Sequence, residues 1–402
     1  MPSPSFALAA GLVALAASPA HAGTIAVTAG PDAQQKLQEA LILAKPGDIV
    51  QLAAGRYVLT DGLSLDVNGV TVRGAGMDAT VLDFSGQQGA GEGLLVTSDD
   101  VTLRDFAVLD AHGDGIKSKG ADRIVYFRVR AAWTGGPKET NGAYGIYPVE
   151  STGVLIDGCQ VEGASDAGIY VGQSKDITVR YSLAQGNVAG VEIENSRNAL
   201  VAYNLVTRNT GGILVFDLPN LPVMGGGNTV LTGNLVVGND TPNFAPKGNI
   251  VAAVRRGTGV MVMANDGVRV TKNVIRDNPT SGVMVVSYPR PFTDKNYNPT
   301  PRNVMVDANA FAGNGLDPQL PGATELKAAF GGAVPPVIWD GIGPAGTLMV
   351  DSSAPGLSLN LPGQGAGPEA ARPALFTAAT QVKRVDEKSI GAPAALDVRI
   401  AG

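Results

Sequence analysis

The chain has 402 residues, a formal net charge of −6 at pH 7 and a pI near 5.1. This acidic balance argues against nucleic acid and anionic membrane surfaces as main partners, because both attract basic proteins. Glycine accounts for 53 residues and charged residues for only 16%, which favours a turn-rich β architecture over a helical bundle. The single cysteine, Cys159, excludes an internal disulfide.

The first 22 residues are typical of an export signal. An apolar run from Phe6 to Ala17 is followed by Ala20-His21-Ala22, a small-x-small cleavage pattern before Gly23. The run is too short to span a bilayer, and no later stretch approaches that length. We therefore expect residues 1–22 to be a signal peptide, and the mature chain to be exported to the periplasm or the exterior with no membrane span.

The next segment has the pattern of an amphipathic helix near residues 31–45. Its apolar face would consist of Ala33, Leu37, Ala40, Leu41 and Ala44. The sequence Lys45-Pro46-Gly47 then ends the helix. A repetitive β structure exposes strand edges and apolar side chains at its ends, so it needs a cover. We predict that this helix is an N-terminal cap.

From residue 93 onward, a turn followed by glycine and alternating apolar residues recurs, often at intervals near 22 residues. These glycines are Gly93, Gly115, Gly145, Gly168, Gly190, Gly212, Gly259 and Gly282. A unit this short, with two or three alternating runs, is too small for a helical pair and fits one coil of a parallel β-helix. Insertions interrupt the repeat at 115–145, 212–259 and 287–303. We expect these loops to lie on one side and to form binding walls.

Asparagine recurs in pairs five residues apart behind the second run of several coils. The pairs are Asn204 and Asn209, Asn234 and Asn239, Asn273 and Asn278, and Asn309 and Asn314. Stacked coils lie about 4.8 Å apart, so an asparagine at a turn can bond to its equivalents above and below. The pattern predicts asparagine ladders. Cys159 shares the register of Asn204 and is expected to be buried.

The repeats also resemble a known fold family. The units GIYVGQSKDITVRYSLAQGN and GVEIENSRNALVAYNLVTRN resemble the right-handed parallel β-helix repeats of the pectate-lyase-like superfamily. The stretch from YGIYPVESTGVLIDGCQ to NFAPKGNIVA is similar, more narrowly, to an exported bacterial parallel β-helix family of unassigned function. The likeness covers roughly residues 30–320. It implies a fold that commonly hosts β-elimination or C5 epimerisation of uronic acid polymers. It also implies an exported c-type cytochrome-like protein as a candidate partner.

We therefore predict an all-β chain built as a single-stranded right-handed parallel β-helix, a β-solenoid with an N-terminal helical cap. The β-helix would occupy residues 23–315. After Asn314 the repeat fades into sequence rich in Ala, Gly and Pro. We expect residues 316–402 to form a C-terminal cap and an irregular tail.

Side chains alternate faces along a strand, so each unit has an inward and an outward column. The inward column would be Ile116, Ile146, Ile169, Val191, Ile213, Val260 and Val283. The outward column would be Lys117, Tyr147, Tyr170, Glu192, Leu214, Met261 and Met284. Its apolar end would expose a large patch, so we expect the insertions to fold over it. Its polar end, from Lys117 to Glu192, would then be the floor of a cleft.

The polar end of this column contains the residue types that uronate chemistry needs. A cation must neutralise the C6 carboxylate, and a base must take the C5 proton. Lys117 or Lys119 can be the cation, and His112, Tyr147 or Tyr170 can be the base. The two tyrosines can equally be platforms for sugar stacking. His112 can equally be a solvated turn residue.

Three carboxylates accompany these residues. Asp166, Glu192 and Glu194 can bind substrate, or they can hold Ca²⁺, which prefers oxygen ligands. The two glutamates can also be no more than a solvated strand face. No Asp-Pro-His-Asp motif of secreted mannuronan epimerases is present, nor is the carboxylate trio of polygalacturonases.

Two functions remain open at this stage. The first is binding and modification of an acidic polysaccharide by lyase or epimerase chemistry, with no cofactor required other than a candidate Ca²⁺. The alternative is a non-catalytic solenoid that binds carbohydrate, or docks the cytochrome-like partner through the insertions at 217–228 and 240–256.

Overall fold

The structure is a computed structural model. It describes residues 22–89, 91–344, 346–351, 354–376, 385 and 390–401. The predicted signal peptide lies outside the described residues except for Ala22. No helix in the described ranges is both long enough and apolar enough to cross a bilayer.

Parallel strands wind into coils with three faces. The first face consists of Leu63–Leu65, Leu94–Val96, Ile116–Lys119, Tyr144–Val149, Ala167–Gly172, Ala189–Glu194, Gly211–Phe216, Thr258–Met263, Ser281–Val286, Val337–Trp339 and Gly356–Ser358. The second face consists of Thr24–Val27, Ile49–Leu52, Thr71–Arg73, Thr152–Asp157, Lys175–Arg180, Arg197–Ala202, Gly227–Thr232, Asp266–Thr271, Val304–Asp307 and Leu348–Val350. The third face consists of Gly55–Val58, Thr80–Asp83, Gln160–Glu162, Leu183–Gln185, Leu205–Thr207, Leu235–Val237, Val274–Arg276 and Ala310–Ala312.

Two longer strands, Thr102–Leu109 and Ile124–Ala132, turn the corner between the second and third faces. Ile124–Ala132 pairs with Thr152–Asp157 through its first half and with Gln160–Glu162 through its second half. One repeat of the sequence is thus one coil, as predicted.

The inward column forms the core of the solenoid. Ile169 pairs with Ile146 on one side and with Val191 on the other, and the whole predicted inward column is buried in one apolar cluster. The glycine before each inward residue is required by space. A Cβ on Gly190 would lie 2.4 Å from Cγ1 of Val206 and 2.8 Å from the carbonyl oxygen of Gly212.

The asparagine ladders are present at both turns that border the third face. The Nδ2 of Asn204 donates to Oδ1 of Asn234 at 3.0 Å, and the Nδ2 of Asn234 donates to Oδ1 of Asn273 at 2.9 Å. Cys159 is fully buried, and burial raises the pKa of its thiol to about 12. It is an unreactive packing residue, as its register predicts.

A helix, Ala33–Leu43, packs against the first coil at the predicted place. Its buried residues are Ala33, Leu37, Ala40 and Leu41. At the other end, a short helix, Ala323–Ala329, interrupts the strands. Parallel stacking continues beyond residue 315, through Val337–Trp339 to Gly356–Ser358, within the segment that the sequence predicts to be a C-terminal cap and an irregular tail. The strands there have only three residues, so they are too short to show the period of the repeat.

Two segments after the last parallel strand fold back onto the solenoid. Ala374–Phe376 pairs antiparallel with Gly356–Ser358. The 3-10 helix Ala394–Arg399 returns to the second face, where Leu396 packs on Val125 and Leu155.

Candidate functional site

The predicted outward column stacks along the first face. Tyr147 pairs with Lys117, and Tyr170 pairs with Glu192. Leu214, Met261 and Met284 continue the column in successive coils. This register confirms that one face brings the basic, aromatic, acidic and apolar residues into line.

The insertions fold over this face, as predicted, but they cover more of it than the sequence suggests. Val251 and Tyr297 pack with Leu214 and Phe216 in a second apolar cluster, and the hydroxyl of Tyr297 donates to the carbonyl of Asp217 at 2.7 Å.

The same cluster includes Tyr170, so the cover reaches the polar half of the column. Tyr170 is 4% exposed and Glu192 is 1% exposed. The prediction that these two residues form an open cleft floor is therefore wrong. The open part of the column is its first end, around Lys117 and Tyr147.

Lys117 is the cation of this open end, and it already has two carboxylate neighbours. Its Nζ lies 3.0 Å from Oε1 of Glu92 and 3.7 Å from Oδ2 of Asp114. It also lies 4.9 Å from the centre of the Tyr147 ring, a cation–π distance. Burial lowers the pKa of Lys117, but the two carboxylates outweigh this effect and hold the pKa above its usual value.

Asp114 is the titrating group of this end. Burial raises its pKa to about 6, although Lys117 and the amide of Tyr144 oppose the shift. The backbone N–H of Tyr144 donates to Oδ1 of Asp114 at 3.2 Å. Asp114 therefore changes charge near pH 6.

Three tyrosines form a compact cluster beside the lysine. The ring centres of Tyr144 and Tyr147 are 4.5 Å apart, and those of Tyr147 and Tyr170 are 4.8 Å apart and perpendicular. Burial raises the pKa of all three phenols. Each is therefore held as a neutral hydroxyl that can donate a proton or a hydrogen bond.

Three carboxyls lie under the cover. Burial raises the pKa of Asp166 to about 7 and that of Glu194 to about 7, and it raises the pKa of Glu192 well above its usual value. The hydroxyl of Tyr144 lies 3.5 Å from Oδ2 of Asp166, while Oδ1 of Asp166 and Oε1 of Glu192 have no hydrogen-bond partner among the described residues. The two glutamates are thus buried acids, not a solvated strand face.

The cluster formed by Asp166, Glu192 and Glu194 is a poor match to a calcium site. Among the described residues, no three His, Cys, Asp or Glu side chains are arranged to hold one metal ion.

The two remaining predicted residues are exposed. His112 lies in the turn before Ile116–Lys119, and its backbone N–H donates to Oε1 of Gln87 at 2.9 Å. Lys119 lies at the end of that strand and is in register with Val149. Both belong to the open end, but neither joins the buried cluster.

Sequence reasoning missed Glu92 and Tyr144, although a signal for them exists. Glu92, Asp114 and Tyr144 each stand directly before the glycine of their coil. Because that glycine is in the same register in every coil, the residue before it forms another stacked column on the same face. The open end is the place where this column and the outward column meet.

Comparison with known proteins agrees with the strand pairing. A family model described as a right handed beta helix region matches residues 68–241. The chain folds as a right-handed parallel β-helix. This confirms, at the level of fold, the predicted likeness to pectate-lyase-like proteins. A search of curated proteins gives no significant sequence match to this β-helix.

Several solved structures are similar to this chain. The A-module of Azotobacter vinelandii mannuronan C-5 epimerase AlgE4 superposes with a TM-score of 0.50 and 16% identity, over 79% of this chain and 90% of that chain. The A-module of AlgE6 from the same organism gives a TM-score of 0.46 and 18% identity, over 71% of this chain and 84% of that chain. Pectate lyase Pel9A gives a TM-score of 0.38 and 14% identity, over 74% of this chain and 81% of that chain. Identities this low show the fold alone.

Proposed function

We propose that this β-helix binds an acidic polysaccharide at the open end of its first face and acts on uronate units by elimination or C5 epimerisation. The observation that supports it most directly is the contact between the Lys117 ammonium and the Tyr147 ring beside Asp114, where the loops leave the face uncovered. A mannuronan C-5 epimerase module with the same fold supports the choice of an acidic polymer.

The charges at this end make substrate binding depend on pH. When Asp114 is ionised, the negative charges of Glu92 and Asp114 together exceed the single positive charge of Lys117. A uronate carboxylate then meets a net negative charge. When Asp114 is protonated, the excess charge is gone and its OH can donate to the substrate carboxylate. The pKa of Asp114 is about 6, so we expect affinity to rise as pH falls through about 6.

The proton transfers can be assigned by the same reasoning. Burial raises the pKa of Tyr147, so its phenol carries a proton, and it is therefore the proposed acid. His112 is the proposed base that removes the C5 proton. In elimination, Tyr147 protonates the departing O4; in epimerisation, it returns a proton to the opposite side of C5. Tyr170 lies under the loops and positions the ring of Tyr147.

The test compares binding with turnover. Alginate, pectate and glycosaminoglycans are titrated into the mature chain, elimination is followed by ultraviolet absorbance of the unsaturated product, and epimerisation by solvent deuterium at C5. Lys117→Met is expected to abolish both binding and turnover, whereas Tyr147→Phe abolishes turnover. Lys175→Met, an exposed lysine on the second face, is the matched control. Binding of neutral polymers as tightly as acidic ones, or binding that does not change with pH, contradicts the proposal.

A non-catalytic carbohydrate-binding function is the second candidate. It is favoured by the burial of Tyr170 and Glu192 and by the existing ion pairs of Lys117. Saturable binding without turnover on any polymer, with or without added Ca²⁺, would select it. The cytochrome-like partner stays a prediction, since no comparison bears on it.

A further inference from the structure

A cavity lies at the covered apolar end of the first face. It has a volume of about 270 Å³ and lies above the outward side chains of Leu214, Met261 and Met284. Its walls come from the insertion that includes Val251 and Val254. Apart from Thr258, Ser287 and Arg255, the lining is apolar. A concave site with an apolar lining and a few polar groups is typical of small-molecule binding.

The floor of the cavity crosses three successive coils, because Leu214 pairs with Met261 and Met261 pairs with Met284. Methionine side chains are unbranched and adapt to the shape of a flexible ligand. A row of side chains along three coils suits a linear chain better than a rigid ring system.

A cation stands at one end of the cavity. Arg255 lines this cavity and also a second one of about 550 Å³ that continues toward the C-terminal segment. Its Nη1 donates to the carbonyl of Gln319 at 2.6 Å. No carboxylate of the described residues pairs with it. Its neighbour Arg256, by contrast, pairs with Asp240 and Asp317.

The charges of the second cavity decide the orientation of a ligand. Its lining includes two carboxyl groups, Glu325 and Asp340. Asp340 accepts hydrogen bonds from the backbone N–H groups of Ser287 and Ile342 at 2.6 and 2.9 Å. An anionic group is therefore disfavoured deep in the second cavity and favoured at Arg255, with the apolar chain in the first cavity.

We propose that this site binds an amphipathic anion, a carboxylate with a medium-length linear acyl chain, with the carboxylate on Arg255 and the chain over Leu214, Met261 and Met284. The site is separate from the open end around Lys117, so it does not depend on the polysaccharide proposal. Affinity comes from burial of the chain, and specificity comes from the arginine.

The experiment is calorimetric titration of the mature chain with decanoate and with decanol, which has the same chain and no charge. Decanoate should bind at one saturable site, and affinity should rise about fourfold for each methylene added from octanoate until the cavity is full. Arg255→Gln should lower the affinity for decanoate by about tenfold or more and leave the affinity for decanol nearly unchanged. Arg256→Gln is the matched control and should leave both unchanged.

A second variant tests the cavity itself. Met261→Trp fills the floor and should abolish binding of both ligands, while its melting temperature reports that the chain is folded. Absence of saturable decanoate binding by the wild type overturns the proposal. So does an equal loss of decanoate and decanol in Arg255→Gln, or unchanged binding in Met261→Trp.

Discussion

The asparagine ladder offers the sharpest test of how the solenoid is held together. The side chain of Asn234 is fully buried and makes four hydrogen bonds. It donates to the carbonyl of Val201 at 2.9 Å and to Oδ1 of Asn273 at 2.9 Å, and its Oδ1 accepts from the backbone N–H and the Nδ2 of Asn204, both at 3.0 Å. Asn234→Ala removes all four.

The cost follows from what remains unpaired. Each net hydrogen bond is worth about 1 kcal/mol, and a buried group left without a partner costs about 1–3 kcal/mol. The backbone N–H of Asn204 loses its acceptor, so we expect the free energy of unfolding to fall by about 3–5 kcal/mol. Asn296→Ala, the same change at an exposed position, should cost less than about 0.5 kcal/mol.

The assay is urea unfolding, with hydrogen exchange of the Asn204 amide as a local readout. Exchange should accelerate at Asn204 in the Asn234→Ala variant and remain slow in the control. Equal unfolding midpoints for the two variants, with unchanged protection of Asn204, would refute the ladder as a source of stability.

Three further outcomes are expected. Burial raises the folded pKa of Asp166 from 3.8 to about 7, so its contribution to stability is full below about pH 3.8 and is lost progressively as pH rises to about 7. Asp166→Asn should therefore raise the melting temperature at about pH 8 and change it little at about pH 3, whereas Asp61→Asn, at an exposed site, should change it little at either pH. Gly190→Ala places a Cβ 2.4 Å from a neighbouring methyl and should cost about 1–3 kcal/mol in urea unfolding, while Gly30→Ala, with nothing within 4 Å of the new Cβ, should be neutral. Arg399→Ala removes the bonds from the C-terminal helix to Thr102 and to the carbonyl of Asp100 but leaves the pair of Asp397 with Arg180; limited proteolysis within residues 390–401 should therefore become faster without a change in the global midpoint, and resistance equal to wild type would contradict this.

The coil architecture was accessible from sequence because stacking is local and repetitive. An inward residue such as Ile169 must match its equivalents one coil away, and a glycine such as Gly190 must stay small against its neighbours. Those constraints recur at intervals near 22 residues, so the sequence shows them as a repeat. The same logic placed Lys117, Tyr147, Tyr170 and Glu192 in one column.

The accessibility of the column was decided by tertiary structure. The depth to which the insertions cover Tyr170 and Glu192 depends on contacts across long sequence distances, such as Tyr297 to Asp217, and loops have no period from which to infer them. The ion pair between Glu92 and Lys117 was likewise not predicted from the sequence, because the two residues come into contact only when two coils stack.

The sequence by itself determined the coil, the ladders and the order of side chains along the first face, since each follows from a short repeated pattern. Only the tertiary structure decided which part of that face remains open, which carboxyls have raised pKa values, and where the loops border an apolar cavity. Those properties depend on burial, and burial is set by segments that fold back from elsewhere in the chain.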